Sequence, residues 1–370
     1  MKQIIGLDKY DLDTPSLLID LDTMERNISR MTNYFNGVKA DLSPHMKHHK
    51  CPTIAHKQLD AGAKGVTCQK LGEAEVMAEA GIKDILLSNE VANESKIRRA
   101  VALASHSNLV VGVDNLMNIK ALSRHSLDKK MKLGVAMEIY MGRCGVEAGK
   151  PALSLAKEIQ KCKGLELKGI WCHNGRVGGM KNLVERRKSQ IESLEQLIGT
   201  RDLLEDSGLN VGIVSAGCTA TYNIVGEYPG VTEVQAGSYV FMDRAYKAME
   251  GMEMFDCALT VLATVISRPT HDKVIIDVGL KSIAPESGCG YRNLILPEVI
   301  GLKGVEFLGL SEEHGVLRLY QPSRDIKVGD KLELLPCHSC TTVDRYDYYY
   351  GIRDGRVEVV WPISARGKSQ

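Results

Sequence analysis

The run Ser43-Pro44-His45-Met46-Lys47-His48-His49-Lys50 gathers two amines and three imidazoles within eight residues. It closes an extended stretch, Val38 to Leu42, and precedes a helical one, Pro52 to Gln58. Side chains alternate between the faces of a strand, so an extended backbone here would put His45, Lys47 and His49 on one face. Nearby positive charge and burial both lower a lysine pKa. A lowered pKa makes the amine nucleophilic enough for Schiff-base chemistry. A solvated basic loop or an adventitious metal-binding histidine patch would give the same eight residues.

Two small-residue loops could supply the complement to that amine. Ser215-Ala216-Gly217-Cys218-Thr219-Ala220-Thr221 follows one β-branched run, and Ala236-Gly237-Ser238-Tyr239 follows the next. Small residues let backbone N–H groups approach an anion, and a short helix starting near Thr219 would add its positive end. Tight turning alone would also account for either loop. A lysine and a phosphate cradle together are the minimum kit for pyridoxal phosphate, whose aldehyde forms an imine with an amine. His173, in Trp171-Cys172-His173-Asn174-Gly175, could stack on a flat ring. Arg143, in Met141-Gly142-Arg143-Cys144-Gly145, could pair with an anionic oxygen. Taken singly, the two read as well as a satisfied core histidine and a surface arginine.

A second chemistry lies in Leu335-Pro336-Cys337-His338-Ser339-Cys340. As a redox CxxC it lacks the thioredoxin-like helix start, and as a structural zinc half-site it lacks a second CxxC. The third reading takes His338 and Cys340 alone. In an extended stretch their spacing puts both on one face, where an imidazole and a thiolate suit Zn²⁺. Two protein ligands leave positions open for substrate and water, as in a catalytic metal site.

The elements that must position these residues follow from runs and breaks. Strands are expected near Lys39–Leu42, Gly65–Cys68, Asp84–Leu87, Leu109–Val113, Leu133–Ile139, Leu167–Cys172, Val211–Val214 and Glu233–Ala236. Helical patterns such as Leu71–Glu79, Glu94–Ala104 and Glu185–Glu205 lie between them, with Gly81 as a C-terminal stop. Eight strand–helix units match an α/β fold of the (β/α)8 barrel type, and the absence of a GxGxxG fingerprint argues against an open doubly wound sheet. A barrel demands functional residues where strands end, with phosphate held after strands seven and eight. Beyond about residue 255 extended pieces dominate: Ala258–Ile266, Val274–Asp277, Val305–Leu310, Val316–Leu319, Lys331–Leu335 and Val357–Trp361. The expected organisation is a barrel over 26–255 and a β-rich C-terminal domain over 256–370, joined by residues 1–25, whose Ser16–Asp20 reads as a strand.

With 370 residues the chain can bury a sizeable core. Its 47 basic and 46 acidic residues leave a formal charge of +1, which gives no electrostatic footprint for nucleic acid or an anionic membrane. No apolar run approaches the roughly 20 residues of a membrane span. The start, Met1-Lys2-Gln3-Ile4-Ile5-Gly6-Leu7-Asp8, meets an acid too early for a secretory signal. Ten cysteines scattered through a large chain suit reduced thiols, so a cytoplasmic location is expected.

Taken together the motifs resemble one family, the metal-dependent fold-type III pyridoxal-phosphate enzymes that include D-threonine aldolase and eukaryotic-type D-serine dehydratase. The matching pieces are Asp13-Thr14-Pro15-Ser16-Leu17, Pro44-His45-Met46-Lys47-His48-His49-Lys50-Cys51-Pro52, Lys70-Leu71-Gly72-Glu73-Ala74-Glu75 and Gly142-Arg143-Cys144-Gly145-Val146. They continue with Val234 to Asp243, Ser311-Glu312-Glu313-His314-Gly315 and the pair His338 and Cys340. The resemblance implies an alanine-racemase-like barrel with a β-domain, Lys47 as the cofactor lysine, and a homodimer with the active site at the subunit interface. With Lys47, the loop residues Arg143, His173, Gly217, Cys218, Thr219, Gly237, Ser238 and Tyr239 are the candidate cofactor contacts.

Within the family, His-x-Cys is typical of the dehydratases and His-x-Asp of the aldolases, so His338 and Cys340 point to dehydration. Trp171 stands where tyrosine is usual, and Tyr140 where glycine is usual. Arg176 with Gly178-Gly179 replaces a polar, histidine-bearing loop. With His45, Tyr140, Trp171 and Arg176 are the candidate substrate residues, and Arg176 suits a small D-amino acid with an anionic group. The expected reaction is dehydration of a D-3-hydroxy amino acid such as D-serine to a 2-oxo acid and ammonia, with pyridoxal phosphate and Zn²⁺. The alternatives are aldolase cleavage to glycine and an aldehyde, racemisation, or a non-catalytic cofactor carrier.

Overall fold

Parallel strands covered on both faces are made from continuous apolar runs rather than alternating ones. Leu133–Ile139 is buried at every position, as is Val66–Cys68. The structure, a computed structural model, describes residues 4–285 and 295–370, so Met1 to Gln3 of the N-terminal reading lie outside the described residues. The chain forms two compact units, Met31–Gly237 with Gly367–Gln370, and Met1–Arg30 with Ser238–Arg366.

Strand β1 (Ser16–Asp20) belongs to the second unit. The first unit holds β2 (Asp41–Leu42), β3 (Val66–Cys68), β4 (Asp84–Glu90), β5 (Asn108–Val113), β6 (Leu133–Ile139), β7 (Leu165–Cys172), β8 (Ile213–Ala216) and β9 (Glu233–Val234). They pair in the order β2-β9-β8-β7-β6-β5-β4-β3, every pair parallel. The ends of this sheet meet through a parallel bridge between His45 and Thr67, where the Thr67 N–H donates to the Pro44 carbonyl at 2.9 Å. The result is the closed (β/α)8 barrel expected. Helices Pro52–Asp60, Leu71–Glu79, Glu94–Ala104, Leu116–Asp128, Lys150–Lys161, Leu183–Asp206 and Tyr222–Gly226 follow β2 to β8 in turn. Asn93 and Asn115 cap two of them by accepting first-turn N–H groups. Gly81 follows the end of Leu71–Glu79 at φ +90°, a conformation glycine adopts without strain. Inside the barrel Leu86, Ala136 and Trp171 form one cluster, with Val110 packed on it.

One expectation fails locally. The backbone of 43–50 does not run extended to Lys50: Met46–His48 wind into a 3-10 turn, closed by the Lys50 N–H donating to the Met46 carbonyl at 2.8 Å. His45, Lys47 and His49 therefore do not share a strand face.

The second unit is antiparallel and mixed. It contains β10 (Leu259–Thr270), β11 (Lys273–Ile276), β12 (Glu298–Val299), β13 (Val305–Leu310), β14 (Gly315–Leu319), β15 (Lys331–Leu335), β16 (Tyr348–Arg353) and β17 (Arg356–Pro362). Their order is β13-β14-β11-β10-β1-β16-β17, with β15 pairing both β10 and β12. β1 lies antiparallel to β10 and parallel to β16. Leu12, Leu18, Leu262, Ile352 and Val357 form a buried core there.

Candidate active site

The loops that follow the barrel strands carry the first group of candidates. From Leu42 to Lys50 every residue is buried except Lys47. The turn that presents it is held by its own histidines. His45 caps the turn, its Nδ1 accepting the Lys47 N–H at 3.5 Å, and its Nε2 lies 3.3 Å from Gln69 Oε1. Gln69 is fixed in turn, donating from Nε2 to the Ser88 carbonyl at 2.9 Å. His49 faces the core instead: its Nδ1 accepts the Cys51 N–H at 3.1 Å, and its Nε2 pairs with Gln58 at 3.1 Å. It belongs to the fold rather than to the amine's surroundings.

His45 and His173 are neutral imidazoles. Burial, then the Lys47 ammonium, lowers His45 well below the usual histidine range. Burial, then Lys47 and Arg143, lowers His173 to about 3. Both rings thus lie within electrostatic reach of Lys47 without adding charge beside it.

After β6 the chain turns tightly. Gly145 adopts φ +115°, and a Cβ there would lie 2.6 Å from the Tyr140 nitrogen. This loop presents Tyr140, which is exposed, and Arg143, whose Nη2 is 3.9 Å from Glu138 Oε1. Burial, then a hydrogen bond donated to Glu90, pushes the Glu138 carboxyl up to about 9. Ligand atoms of Glu90, Glu138 and Cys144 lie within 4.8 Å of one another. Sequence reading missed this pair and Gln69. A signal for Glu138 existed, since it is the one charged residue in an otherwise apolar strand.

After β8, Gly217 at φ +84° leads into a 3-10 turn, Thr219–Thr221, continued by the helix Tyr222–Gly226. The Cys218 N–H donates to Thr221 Oγ1 at 3.2 Å, and the Thr221 N–H returns to the Cys218 carbonyl at 3.0 Å. After β9, a Cβ on Gly237 would lie 2.7 Å from the His45 carbonyl, so only glycine lets this loop pass so close to the lysine turn. Trp171 is buried in the barrel interior, and its indole Nε1 has no hydrogen-bond partner among the described residues. Arg176 is exposed on the loop after β7, its backbone N–H donating to Asn174 Oδ1 at 3.1 Å. Lys47, Arg143, His173, Gly217, Cys218, Thr219 and Gly237 thus all follow C-terminal strand ends of one barrel. Amine, neutral rings, guanidinium and a tight small-residue turn fit the chemistry of pyridoxal phosphate.

Ser238 and Tyr239 belong to the other unit, in the 3-10 turn Ser238–Val240, where the buried Tyr239 ring packs on Phe255 at 5.9 Å. That unit also carries the second chemistry. His338 and Cys340 are not on an extended stretch: His338 caps a short helix, Ser339–Val343, and Cys340 lies in its first turn. The helix forms because Asp243, fully buried, gathers its start. Asp243 Oδ2 accepts the Ser339 N–H at 3.1 Å and the Ser339 hydroxyl at 3.0 Å, and lies 3.1 Å from His338 Nδ1. Asp243 Oδ1 accepts the Tyr246 N–H at 3.0 Å. Burial opposes charge on His338, but the Cys340 sulfur and the Asp243 carboxylate outweigh it and raise the imidazole well above its usual range. Cys337 is buried, its thiol pushed up to about 11, and neither it nor Cys340 forms a disulfide. An imidazole tied at Nδ1 beside a thiol is a donor set that fits Zn²⁺ with positions left open.

Comparison with known proteins follows this division. The model of the alanine racemase N-terminal domain matches residues 19–245, and that of the serine dehydratase domain residues 258–352. D-threonine aldolase of Arthrobacter sp. is 36% identical over 97% of this chain and 94% of its own. The crystal structure of D-threonine aldolase from Filomicrobium marinum superposes with a TM-score of 0.95 at 34% identity, covering 100% of both chains. D-threo-3-hydroxyaspartate dehydratase from Delftia sp. HT23 gives 0.86 at 27%, covering 96% of this chain and 98% of its own. That dehydratase has also been solved with a histidine-to-alanine change and, in a metal-free form, with a cysteine-to-alanine change two positions further on. With both halves matched and relatives aligned nearly end to end, this chain is a lyase and belongs to the alanine-racemase-like fold-type III family of D-threonine aldolase and D-serine dehydratase, an enzyme family acting on small D-amino acids.

Proposed function

We propose that this lyase is a dehydratase, converting a D-3-hydroxy amino acid to a 2-oxo acid and ammonia. The observation that carries the reading is the donor pair His338 and Cys340, with the imidazole tied to Asp243. The same spacing separates the histidine and cysteine replaced in the Delftia dehydratase.

Pyridoxal phosphate, when bound, supplies an electron sink for Cα, and Zn²⁺, when bound, a Lewis acid for the β-hydroxyl. The chain's own residues do the rest. Lys47 would hold the cofactor through Nζ, and its amine is the base assigned to the Cα proton. Gly217, Cys218, Thr219, Gly237, Ser238 and Tyr239 are assigned to the phosphate and its surroundings, and Arg143 and His173 to the ring. His338 and Cys340 would hold the metal, with Asp243 keeping a proton on Nδ1 while metal binding displaces the one on Nε2. His45, steadied by Gln69, stays an uncharged ring beside the amine. Arg176, exposed beyond β7, is the candidate partner for a carboxylate on the substrate side chain, with Tyr140 and Trp171 as further candidates for the substrate region. The family resemblance also suggests a homodimer, which sedimentation would test.

Overall similarity favours a second reading, since the Arthrobacter and Filomicrobium relatives, at 36% and 34% identity, are aldolases. There the proton leaves the β-hydroxyl rather than Cα, and the Cα–Cβ bond breaks. Incubation with pyridoxal phosphate, Zn²⁺ and a panel of D-serine, D-threonine and D-threo-3-hydroxyaspartate separates the two by product mass. A 2-oxo acid with ammonia is expected. Glycine and an aldehyde would overturn the dehydratase reading.

A further inference from the structure

Arg186 lies in the first turn of Leu183–Asp206 and is fully buried. A guanidinium is costly to bury unless its N–H groups find acceptors. Arg186 spends them on backbone carbonyls from two different loops. Its Nε donates to the Ala220 carbonyl at 3.0 Å, within the turn that follows β8. Its Nη1 donates to the carbonyls of Met180 at 2.7 Å and Lys181 at 3.2 Å, at the end of the segment that follows β7. The same helix holds that segment at its other end. Asn174 Nδ2 donates to the Ser189 carbonyl and hydroxyl, both at 3.1 Å, and to Ser193 Oγ at 2.9 Å. One helix face therefore fixes both loops, and Arg186 is the side chain that spans them.

We infer that Arg186 is a positioning residue for the cofactor's phosphate group, locking the Gly217–Thr221 turn through the Ala220 carbonyl and joining it to the substrate loop at 173–181. The inference rests on the assignment of that turn to the phosphate under the proposed function. Two physical effects act together. The fork of donors sets the orientation of the turn's peptides, and a buried positive charge behind the turn favours a dianion in front of it, where solvent screens little. A lysine would keep the charge but lose the planar fork, and a methionine would keep the volume and lose both.

The test compares pyridoxal phosphate with pyridoxal, which lacks the phosphate, as ligands of the apo-protein. Binding is followed by absorption of the lysine imine in the wild type, R186K and R186M. In the wild type the phosphate ester should bind far more tightly. In R186M its affinity should fall by about 10- to 100-fold, the range for lost charge-assisted hydrogen bonds, while that of pyridoxal changes by less than about 2-fold. R186K should fall between. A parallel loss for both ligands would make Arg186 a general structural residue and overturn the inference, as would an unchanged ratio. If R186M does not fold, the ratio in R186K alone decides, and a wild-type ratio there overturns it. If the wild type itself does not distinguish the two ligands, the phosphate assignment of the turn fails, which is a different result from a failure of Arg186.

Discussion

At the scale of single residues, the decisive side chains are those that fix other side chains. Lys47, Arg143, His173, His338 and Cys340 stand out in the sequence as candidates because amines, guanidinium, imidazoles and thiols announce their chemistry by type. Gln69 and Asp243 were not singled out, because their part depends on distance in space: Asp243 meets His338 from 95 positions away in the chain. Its carboxylate holds His338 by Nδ1, so that Nε2, which faces Cys340, is the nitrogen proposed for the metal. Asp243→Asn preserves the shape but presents either a weaker acceptor or an NH₂ that clashes with the Nδ1–H. Loss of such a supporting group costs 10- to 100-fold in metal affinity, so Zn²⁺ binding by D243N should weaken by about that factor in a chelator competition. Unchanged affinity would mean that the imidazole binds no metal or binds it without this support.

Elements bring together what the chain keeps apart, and here prediction from local pattern divides cleanly. The continuous apolar runs gave β6, and the helices Leu71–Glu79 and Glu94–Ala104, with the bounds read from the sequence. The 3-10 turn Met46–His48 and the helix Ser339–Val343 escaped, being too short for periodicity and held by side-chain caps and distant carboxylates. β16 escaped for another reason. Three consecutive tyrosines conceal the alternation that burial reveals, with Tyr348 exposed and Tyr349 buried. The ends of β4 and β6 also meet in a way no local pattern contains, setting Glu90 beside Glu138. The Glu138 carboxyl, raised to about 9 when folded, keeps its proton over a range where the unfolded chain has lost it. Its contribution to stability is therefore full below about 4.5 and is lost as pH rises through about 9. Glu138→Gln cannot ionise, so the melting temperature of the wild type should fall relative to E138Q between pH 5 and pH 9. Parallel profiles would show that the two carboxyls do not share a proton.

At the scale of the whole molecule, the β-rich unit is built from both ends of the chain. The sequence suggested that Ser16–Asp20 pairs with the later strands, and β1 does so at the centre of the sheet, between β10 and β16. Its role there cannot be decorative. Leu18, 2% exposed, packs with Leu12, Leu262, Ile352 and Val357, residues drawn from nearly the full length of the chain. A strand at a sheet's edge could be weakened with little effect, whereas one paired on both sides carries the register of its neighbours. The unit that β1 completes is also the one that carries Asp243, His338 and Cys340. Leu18→Ala removes buried methyl groups at the junction of these strands and should cost about 2–5 kcal/mol, read as a lower midpoint in denaturant. Zn²⁺ release should move to lower denaturant with it, since the imidazole and thiol are held together only while this unit is folded. A loss well under 1 kcal/mol, or zinc release that does not follow the transition, would mean that the metal site is kept by its own helix cap and carboxylate, independent of the strand the N-terminal segment provides.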